Sequence, residues 1–556
     1  MSTTLTTSHW PADTSPELID VTVGDLLRQA AAEVPDRLAL VDGGAPFEER
    51  RRWTYAELLR DSEGVAHALL RRFEPGERIA VYSSNCPEWA LLHHGASLAG
   101  LQVVPLNPAY KRVEAEVMLR NAKVAGVFYE ERYRDNDIAA LLTELRPRLA
   151  DLRETTQLVE LEQFAAVATD VPGDLPVADP GDVLHVQFTS GTTGIPKGAL
   201  LHHRGLVNSA RLIAERAGFP DGGVWVNAMP MFHSGGLATS RIGCLSKQGT
   251  FVLAPGFDAG QMLELIESER GNMTLVVPTM ILAMLGHPSF PARDLSSLST
   301  LLSGATGVPA ALVHRAKSEM GCRFSILFGQ TEVSGVVTGT RLDDSVEDQA
   351  ETLGQALPHA EIKIADPADG TVLPLGTSGE ICVRGYQTMV GYLDMPDETS
   401  AALDADGWLH MGDLGTMDHR GYLRITGRLK EVIIRGGMNL YPREIEDVIF
   451  DHPQVAQVSV VGVPDEKFGE IVAAIVIPRD PAAPPRPDEL TAHCREHLAR
   501  HKAPARWFIV EEFPLTASGK VQKFVLRDLI TAGAIRPCSA PEVVDPSEEA
   551  GRRVAT

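Results

Sequence analysis

Helical and strand-like patterns alternate along the first half of this sequence, and that alternation limits the folds the chain can adopt. The stretch TYAELLRDSEGVAHALLRR at 54–72 has the apolar spacing of an amphipathic helix. Short runs rich in β-branched and aromatic residues lie between such segments, for example RIAVY at 78–82 and VAGVFY at 124–129. Strands that alternate with helices in this way predict parallel sheets flanked by helices.

The second half changes in character, and a chain of 556 residues is too long for one hydrophobic core. From 361 onward, EIKIADPADGTVLPLGTSGEICVRG predicts short strands joined by Gly and Asp turns, as in a small barrel-like sheet. The runs VIIRGG, REIEDVIFDHP and VAQVSVVGVP then predict a compact α+β unit.

We therefore predict an α/β protein built from two folded domains and a tail. Residues 1–428 form a large N-terminal domain made of two parallel α/β subdomains and the small barrel-like part. Residues 429–535 form a small α+β domain. Residues 536–556 are polar and contain proline, so we expect them to be disordered.

Charge and cysteine content narrow the classes of function. The formal net charge of −23 disfavours general binding to nucleic acid or to anionic membranes, although a local basic pocket for an anion is compatible with it. The six cysteines lack C-x-x-C spacing, which fits a reducing cytosol better than a zinc or disulfide framework. The N-terminus has no signal-peptide pattern, and the longest apolar run, at 275–285, is too short to span a bilayer. We predict a cytoplasmic protein without a membrane span or a nucleic-acid partner.

The stretch FTSGTTGIPKGAL at 188–200 concentrates small hydrogen-bond donors before one lysine. Glycines let backbone N–H groups approach an anion, and hydroxyls and lysine add donors and charge, so the stretch fits a phosphate. It is neither a Walker A loop nor a G-x-G-x-x-G fingerprint, and a polar surface turn is the alternative interpretation. The preceding DVLHVQFT at 182–189 predicts a strand, and ligands of α/β sheets bind at strand ends, which favours phosphate.

Four more stretches accompany this loop: FGQTE at 328–332, GWLHMGDLG at 407–415, ITGRLKEVIIRGGMNLYPREIE at 425–446 and LTASGKVQK at 515–523. Together the five resemble the motifs of the adenylate-forming (AMP-binding) superfamily, in the acyl-CoA synthetase branch. The resemblance runs from WTYAEL at 53–58 to the last of these motifs, in the order of the family. It implies an AMP-forming acyl-CoA ligase whose small molecules are a carboxylic acid, ATP with Mg²⁺, and coenzyme A.

The resemblance implies catalytic roles for Lys197, Thr331, Glu332 and Lys520. Lys197 would hold the β- and γ-phosphates with the glycine-rich loop, Glu332 would hold the metal, and Thr331 would donate to the α-phosphate. Lys520 would bridge the carboxylate and the α-phosphate. The implied ATP- and AMP-binding residues are Thr189, Ser190, Gly191, Thr192, Thr193, Gly194, Gly304, Ala305, Thr306, Phe328, Gly329, Gln330, Asp413, Ile425 and Arg428.

The resemblance also implies an acyl pocket, a CoA side and a hinge. Lys430 would be the hinge about which the small domain rotates between the two half-reactions. The small residues expected in the acyl pocket indicate room for a medium or bulky apolar acid, with aromatic and polycyclic acids included. The implied acyl-binding residues are His233, Ser234, Gly235, Ser303, Val333 and Ser334, and the implied CoA-binding residues are Arg435, Gly436, Gly437, Phe468 and Gly469.

Taken singly, several of these residues have plain structural explanations. Asp413 before a turn, Lys520 as a solvated lysine near the chain end and His233 as a packed core histidine are the alternatives. Two positions depart from the usual family pattern, since Met411 replaces a threonine before Gly-Asp and Met438 replaces a glutamate before asparagine. Either methionine is adaptable enough to be silent.

The two departures leave open whether both half-reactions are efficient, and the likeness of a phosphopantetheine arm to the end of CoA leaves the thiol acceptor open. The enzyme is either a complete ligase, a specialist for thioester formation from a ready-made acyl adenylate, or a protein that loads the phosphopantetheine thiol of a carrier protein. Luciferase-like oxygenation has no specific support, and a sensor without turnover disagrees with the presence of Lys520 and Glu332. A homodimer, a carrier protein and a partner adenylating enzyme remain open as partners.

Overall fold

The computed structural model of the chain describes residues 4–166, 174–189, 196–304, 307–515 and 521–538. The helices are α1 (Val23–Glu33), α2 (Tyr55–Leu70), α3 (Pro87–Leu98), α4 (Arg112–Asn121), α5 (Ile138–Leu145), α6 (Leu161–Ala166), α7 (His203–Arg216), α8 (Gly243–Ser246), α9 (Ala259–Ser268), α10 (Pro278–Leu285), α11 (Ala310–Met320), α12 (Val346–Glu351), α13 (Pro396–Ala402), α14 (Pro442–Phe450), α15 (Pro487–His497) and α16 (Lys523–Thr531). A π-helix, Gly235–Ile242, precedes α8.

The strands form four main sheets. The strands are β1 (His9–Trp10), β2 (Leu38–Asp42), β3 (Arg52–Thr54), β4 (Arg78–Tyr82), β5 (Gln102–Leu106), β6 (Gly126–Tyr129), β7 (Arg132–Tyr133), β8 (Asn136–Asp137), β9 (Glu154–Gln157), β10 (Val183–Thr189), β11 (Lys197–His202), β12 (Val224–Asn227), β13 (Thr250–Leu253), β14 (Met273–Leu275), β15 (Thr300–Gly304), β16 (Arg323–Phe328), β17 (Thr338–Gly339), β18 (Gln355–Ala356), β19 (Glu361–Ala365), β20 (Gly379–Arg384), β21 (Gly391–Tyr392), β22 (Leu409–Met417), β23 (Leu423–Arg428), β24 (Ile433–Arg435), β25 (Met438–Leu440), β26 (Val455–Asp465), β27 (Gly469–Pro478) and β28 (Arg506–Ile509).

Two large, mostly parallel sheets confirm the predicted α/β class. The nine-stranded sheet has the order β18-β17-β16-β15-β14-β12-β13-β2-β3, and its strands β2 and β12 to β16 run parallel. The seven-stranded sheet has the order β21-β11-β10-β5-β4-β6-β9, with β11 and β21 added antiparallel at one edge. Each sheet has its own buried apolar core.

A buried layer of helices connects these two sheets. Helix α3 contacts β2 of the nine-stranded sheet and β5 of the seven-stranded sheet, and the π-helix contacts β12, β14 and α7. Most residues of α3 are buried, so this helix faces protein nearly all round, and His93, His94 and Ser97 are buried together with its apolar residues. Polar side chains within this layer therefore face protein on every side and need partners there.

Local sequence explains why the predicted helix at 54–72 forms. Thr54 is the N-cap of α2, and its side chain accepts a hydrogen bond from the backbone N–H of Glu57. The Glu57 carboxylate accepts one from the backbone N–H of Thr54 at 2.9 Å, which completes a capping box. Leu58, Val65 and Leu69 then supply the buried face. The helix ends at Leu70, two residues before the predicted end.

The rest of the chain contains two smaller sheets. One has the order β1-β19-β20-β22-β23, at the place of the predicted barrel-like part. The other has the order β25-β24-β27-β26 with β28 paired to β27, and α14, α15 and α16 accompany it. Two apolar clusters, one of which contains Ile445 and Val460, form the core of this α+β region.

By its internal contacts the described chain separates into two units. The larger comprises residues up to 377 together with 382–411 and 417–424, and the smaller comprises 378–381, 412–416 and the described residues from 425 onward. The predicted domain boundary after 428 stays a prediction. Of the predicted tail, 539–556 lies outside the described residues, whereas 536–538 is described and the backbone N–H of Cys538 donates to the carbonyl oxygen of Trp507.

Among the residues that the structure describes, no helix is both long and apolar enough to cross a membrane. The helical layer does bury ionisable groups, among them His93, His94 and His203, and His185 on β10. Burial lowers the pKa of His203 to about 4 and the pKa of His185 to about 3, because the charged imidazolium would lose its hydration. These side chains are neutral in the folded protein at neutral pH.

Acid should therefore destabilise the larger unit, beginning above the usual pKa range of carboxylates. An unfolded histidine takes up a proton below about pH 6.5, whereas folded His185 does not, so protons favour the unfolded chain as the pH falls. At about pH 5.5 each such histidine should cost about 1.4 kcal/mol relative to pH 7.5. Denaturant unfolding across this range should show a smaller acid loss in His185→Gln than in the parent. Equal losses would contradict the assignment of a depressed pKa to His185.

Candidate active site

Strands β10 and β11 position the two ends of the glycine-rich stretch. They pair antiparallel with Thr189 opposite Lys197, so the end of one strand faces the start of the other. The Thr189 hydroxyl donates to the carbonyl oxygen of Lys197 at 3.4 Å. The predicted phosphate-binding residues Ser190, Gly191, Thr192, Thr193 and Gly194 lie outside the described residues.

Lys197, Tyr392 and Glu332 form a connected cluster beside these strand ends. The Lys197 ammonium lies 4.9 Å from the centre of the Tyr392 ring, within range of a cation–π contact. The Tyr392 hydroxyl donates to Oε1 of Glu332 at 2.8 Å. Burial and the neighbouring Glu332 carboxylate together raise the pKa of Tyr392 far above its usual value, so the hydroxyl keeps its proton and remains a donor. The cluster thus combines one cation, one fixed donor and one buried carboxylate.

The turn after β16 fixes the direction of Glu332. Thr331–Val333 forms a short 3₁₀ turn, and the backbone oxygen of Glu332 accepts from the N–H of Met389 at 2.9 Å. Ser334 follows with φ of 56°, and its hydroxyl donates to the carbonyl oxygen of Gln387 at 2.8 Å. A Cβ at Gly329 would collide with the carbonyl oxygen of Gly335, so the turn closes this tightly only on glycine.

The chemistry of this cluster fits a magnesium ion. Mg²⁺ prefers oxygen ligands and is held in proteins by one or two carboxylates. Glu332 is buried, and a carboxylate has about four acceptor positions, of which the Tyr392 hydroxyl uses one. The Glu332 carboxylate therefore keeps acceptor capacity for a cation while its orientation is fixed by Tyr392.

The predicted acyl-side residues begin a π-helix. Ser234 is the N-cap of Gly235–Ile242, and the backbone N–H of Gly235 lies 3.3 Å from Nδ1 of His233. A Cβ at Gly236 would collide with the carbonyl oxygen of Pro230, so the loop and the first helical turn pack backbone against backbone. Wide π-turns occur often at functional sites.

Other acyl-side residues come from the nine-stranded sheet and the turn after it. A Cβ built on Gly335 would lie 3.8 Å from Cβ of Ser234, so the turn after Glu332 adjoins the start of the π-helix. Val333 is fully buried there. Ser303 is also fully buried, and its hydroxyl has no hydrogen-bond partner within the described residues. Gly304 ends β15 beside β16, and Ala305 and Thr306 lie outside the described residues.

In the smaller unit, Asp413 and Arg428 form an ion pair. Nε of Arg428 lies 2.9 Å from Oδ1 of Asp413, and the Asp413 side chain is buried whereas that of Arg428 is half exposed. Gly412, with φ of 68°, turns the chain immediately before Asp413. Ile425 lies on β23, and Arg428 is the last residue of that strand. The structure thus brings together two of the predicted nucleotide-binding side chains.

The predicted CoA-side residues form a second cluster of the smaller unit. Arg435 pairs with Gly469 across β24 and β27, and its guanidinium lies 4.8 Å from the centre of the Phe468 ring. The backbone N–H of Gly436 donates to the carbonyl oxygen of Phe468 at 2.7 Å. Gly436, Gly437 and Gly469 all have positive φ, between 57° and 81°. Three glycines therefore present backbone without side chains beside the Arg435–Phe468 pair.

Two further predicted residues have different outcomes. Lys430 lies in the 3₁₀ turn Leu429–Glu431, between β23 and β24 of the smaller unit. Lys520 lies outside the described residues. Their roles as hinge and catalytic lysine stay predictions.

Tyr392 is the site residue that the sequence analysis missed. It belongs to no motif and lies 60 residues from Glu332, and only its strand pairing with Ala199 brings it beside Lys197. The sequence signal was weak, since GYLD at 391–394 reads as a turn after a short strand.

Comparison with known proteins assigns both units to one family. The family model of the AMP-binding enzyme matches residues 27–393, and that of the AMP-binding enzyme C-terminal domain matches 444–520. The chain is 34% identical to the acyl-CoA ligase sidI of Aspergillus fumigatus, and the match covers 92% of this chain and 91% of that protein. It is 32% identical to the mitochondrial medium-chain acyl-CoA ligase ACSF2 of Homo sapiens, over 93% and 88% of the two chains.

Solved structures agree with this assignment. The ATP-bound MatB of Rhodopseudomonas palustris superimposes with a TM-score of 0.82 at 29% identity, over 92% of this chain and 99% of that one. The o-succinylbenzoate CoA synthetase MenE of Bacillus subtilis, in complex with its acyl-adenylate intermediate OSB-AMP, superimposes with a TM-score of 0.79 at 27% identity. The match covers 95% of this chain and 100% of that one.

The Tyr392 hydroxyl should matter for the binding of magnesium and ATP. Tyr392→Phe keeps the ring beside Lys197 but removes the donor that orients Glu332, so Mg-ATP binding should weaken about tenfold, the effect of roughly 1.4 kcal/mol. Calorimetric titration with Mg-ATP measures this. Tyr55→Phe is the matched control, because it removes a buried hydroxyl bond to the carbonyl oxygen of Gly249. Unchanged Mg-ATP affinity in Tyr392→Phe would contradict the role of the hydroxyl.

Proposed function

This chain belongs to the AMP-binding enzyme family and is an AMP-forming acyl-CoA ligase, and we propose that it carries out both half-reactions on a free carboxylic acid. In the first, the acid and ATP give an acyl adenylate and pyrophosphate. In the second, the thiol of CoA takes the acyl group and AMP leaves. The observation that supports this most is the Lys197–Tyr392–Glu332 cluster at the ends of β10 and β11.

The first half-reaction brings two anions together. A carboxylate oxygen bonds to the α-phosphorus while the bond from that phosphorus to the bridging oxygen of pyrophosphate breaks, so negative charge must be neutralised around the phosphates. We assign Lys197 and the stretch 190–194 to the departing pyrophosphate, and Thr331 and Lys520 to the α-phosphate. Glu332 would hold Mg²⁺, which when bound neutralises phosphate charge. Asp413 would accept from the ribose hydroxyls, with Arg428 beside it.

The second half-reaction needs a path for a thin, flexible thiol arm. The thiol sulfur bonds to the acyl carbonyl carbon, and the bond from that carbon to the phosphate oxygen of AMP breaks. The glycines at 436, 437 and 469 carry no side chains that would block such an arm, and Arg435 stacks on Phe468 beside them. We propose that rotation about Lys430 exchanges Lys520 for this glycine cluster between the half-reactions.

We propose a medium-sized or bulky apolar acid as substrate. Ser234 and Val333 are buried and are small or apolar, and the partly exposed Gly235 has no side chain, which leaves volume for an apolar chain or ring. The name of the human relative, a medium-chain acyl-CoA ligase, agrees with this size class. A panel of fatty, aromatic and polycyclic acids, assayed for CoA thioester, identifies the preferred class.

One alternative is an enzyme specialised for thioester formation from a ready-made acyl adenylate. Met411 supports it, because the side chain is buried two residues before Asp413 and offers no hydroxyl donor. A carrier-protein thiol in place of CoA is a second alternative, because its phosphopantetheine arm is chemically the end of CoA. The cytoplasmic location and a homodimer stay predictions.

Removing the Lys520 ammonium should separate the half-reactions. Lys520→Ala should slow pyrophosphate release from acid and ATP by about a hundredfold or more, because the cation at the meeting carboxylate and α-phosphate is lost. Conversion of synthetic acyl adenylate to thioester should continue at close to the parental rate. Equal loss in both assays would refute the assignment. A parent that works only from the synthetic adenylate would instead establish the thioester specialist.

A bulky residue in the glycine cluster should have the opposite effect. Gly436→Val places carbon beside Phe468 at a position with φ of 57°, so thioester formation should fall about tenfold or more while pyrophosphate release persists. Gly533→Val is the control, because Gly533 also has positive φ and open space around its Cα, at the end of α16. If both valine variants lose thioester formation equally, backbone strain and not a blocked path is responsible.

A further inference from the structure

The helical layer contains a charged side chain that the proposed chemistry does not use. Arg241, on the π-helix, is buried, and in the described part of the chain it forms no ion pair with a carboxylate. Its Nη1 lies 2.5 Å from Nδ1 of His93, and its Nη2 donates to the carbonyl oxygen of Ala90 at 2.7 Å. A buried guanidinium is costly unless its donors are satisfied, so these contacts on α3 largely fix its place.

His93 passes this contact on to a strand of the seven-stranded sheet. Its Nε2 lies 2.6 Å from Nε2 of His185 on β10. A guanidinium only donates, so Nδ1 of His93 accepts and the proton of His93 is on Nε2. Nε2 of His185 must then accept, which puts the proton of His185 on Nδ1. Arg241, His93 and His185 form a directed chain of hydrogen bonds, the Arg241 bridge.

The bridge keeps one protonation state over the working range of pH. Burial, and next the charge of Arg241, lower the pKa of His93 well below its usual value, and burial lowers the pKa of His185 to about 3. Burial lowers the pKa of Arg241 to about 9, which still leaves it charged at neutral pH. The directions of the hydrogen bonds are therefore fixed at neutral pH.

The ends of the bridge lie on the two elements that carry the proposed reactants. The π-helix of Arg241 begins next to His233 and Ser234 on the acyl side, and it contacts the nine-stranded sheet. His185 lies on β10, four residues before Thr189, where the glycine-rich stretch begins. Gln187 of the same strand donates to the carbonyl oxygen of Phe232, just before His233.

We propose that the Arg241 bridge is a positioning device that sets the acyl-side helix against the phosphate-side strand during adenylation. The proposal rests on the proposed function. Apolar packing between helices has no preferred direction, whereas hydrogen bonds of fixed length define one register. Bond formation requires the carboxylate oxygen and the α-phosphorus to meet at close range, and a misplacement of about 1 Å can cost about a hundredfold in rate.

This role predicts an effect on one half-reaction only. In adenylation the acid and ATP are separate molecules, so the protein alone sets their distance. In thioester formation the acyl group and AMP are already joined by a covalent bond, which fixes their relative position whatever the bridge does. A merely structural role would slow both half-reactions together.

A pair of substitutions at His185 tests the bridge. His185→Leu removes the acceptor for His93 at similar volume, and His185→Gln retains an oxygen acceptor on a side chain of similar length. Leu92→Ala is the control for stability, because Leu92 is fully buried next to His93 on α3 and has no polar atom in the bridge. Each protein is assayed at saturating acid, ATP and CoA for pyrophosphate release, and separately for thioester from synthetic acyl adenylate.

His185→Leu should lower the turnover of adenylation by about tenfold or more and leave thioester formation within about twofold. His185→Gln should retain most adenylation. Leu92→Ala should lower the melting temperature without changing the ratio of the two rates. Parallel loss of both rates in His185→Leu, an unchanged ratio, or a glutamine variant as poor as leucine would each overturn the bridge.

Arg241→Met and Arg241→Lys test the other end if His185→Leu does not fold. Lysine keeps a charged donor for His93 and should retain more adenylation than methionine, and equal adenylation in the two would overturn the bridge. The parent separates the two proposals. A parent that releases no pyrophosphate with any acid refutes complete ligase activity, whereas an active parent with an unaltered ratio in the variants refutes the bridge alone.

Discussion

Burial of polar backbone between two sheets is the constraint on which the acyl side of this protein depends. Helix α3 contacts both sheets, and the loop before His233 is bonded to a side chain that precedes this helix. Asn85 precedes α3, and its side chain accepts from the N–H of Met231 at 2.7 Å and donates to the carbonyl oxygens of Met229 and Ala254 at 3.1 Å each. An unmade bond at any of these buried groups would cost about 1–3 kcal/mol. The need to satisfy these buried backbone groups with hydrogen bonds therefore holds the loop in place.

The local sequence pattern predicted the individual strands of this fold better than the order in which they pair in the sheets. RIAVY at 78–82 is β4 without change, and DVLHVQFT is β10 from its second residue. β6 begins two residues later than VAGVFY suggests, because the backbone N–H of Val124 bonds back to Leu119 at the end of α4. The antiparallel pairing of β21 with β11 has no local signal, since these two strands lie far apart in the chain.

The candidate site shows the same division between local motif and long-range contact. The family motifs supply Lys197 and Glu332, but the contact between them passes through Tyr392, which only the pairing of β11 with β21 brings near. On the CoA side, Arg435 and Phe468 lie far apart in the chain, and the register of β24 against β27 explains why they meet. The Arg241 bridge carried no sequence signal, because single buried histidines and arginines look like ordinary helix and strand residues.

The ion pair of Asp413 with Arg428 bears on how a ribose could bind there. Arg428 contacts Oδ1 of Asp413 through Nε, and a carboxylate offers about four acceptor positions over its two oxygens. In the proposed complex the ribose hydroxyls would donate to the same carboxylate. The half-exposed guanidinium would then orient the buried carboxylate through a charge-assisted hydrogen bond. The proposed nucleotide site would then use the two side chains as one unit, with the carboxylate as acceptor and the guanidinium as donor.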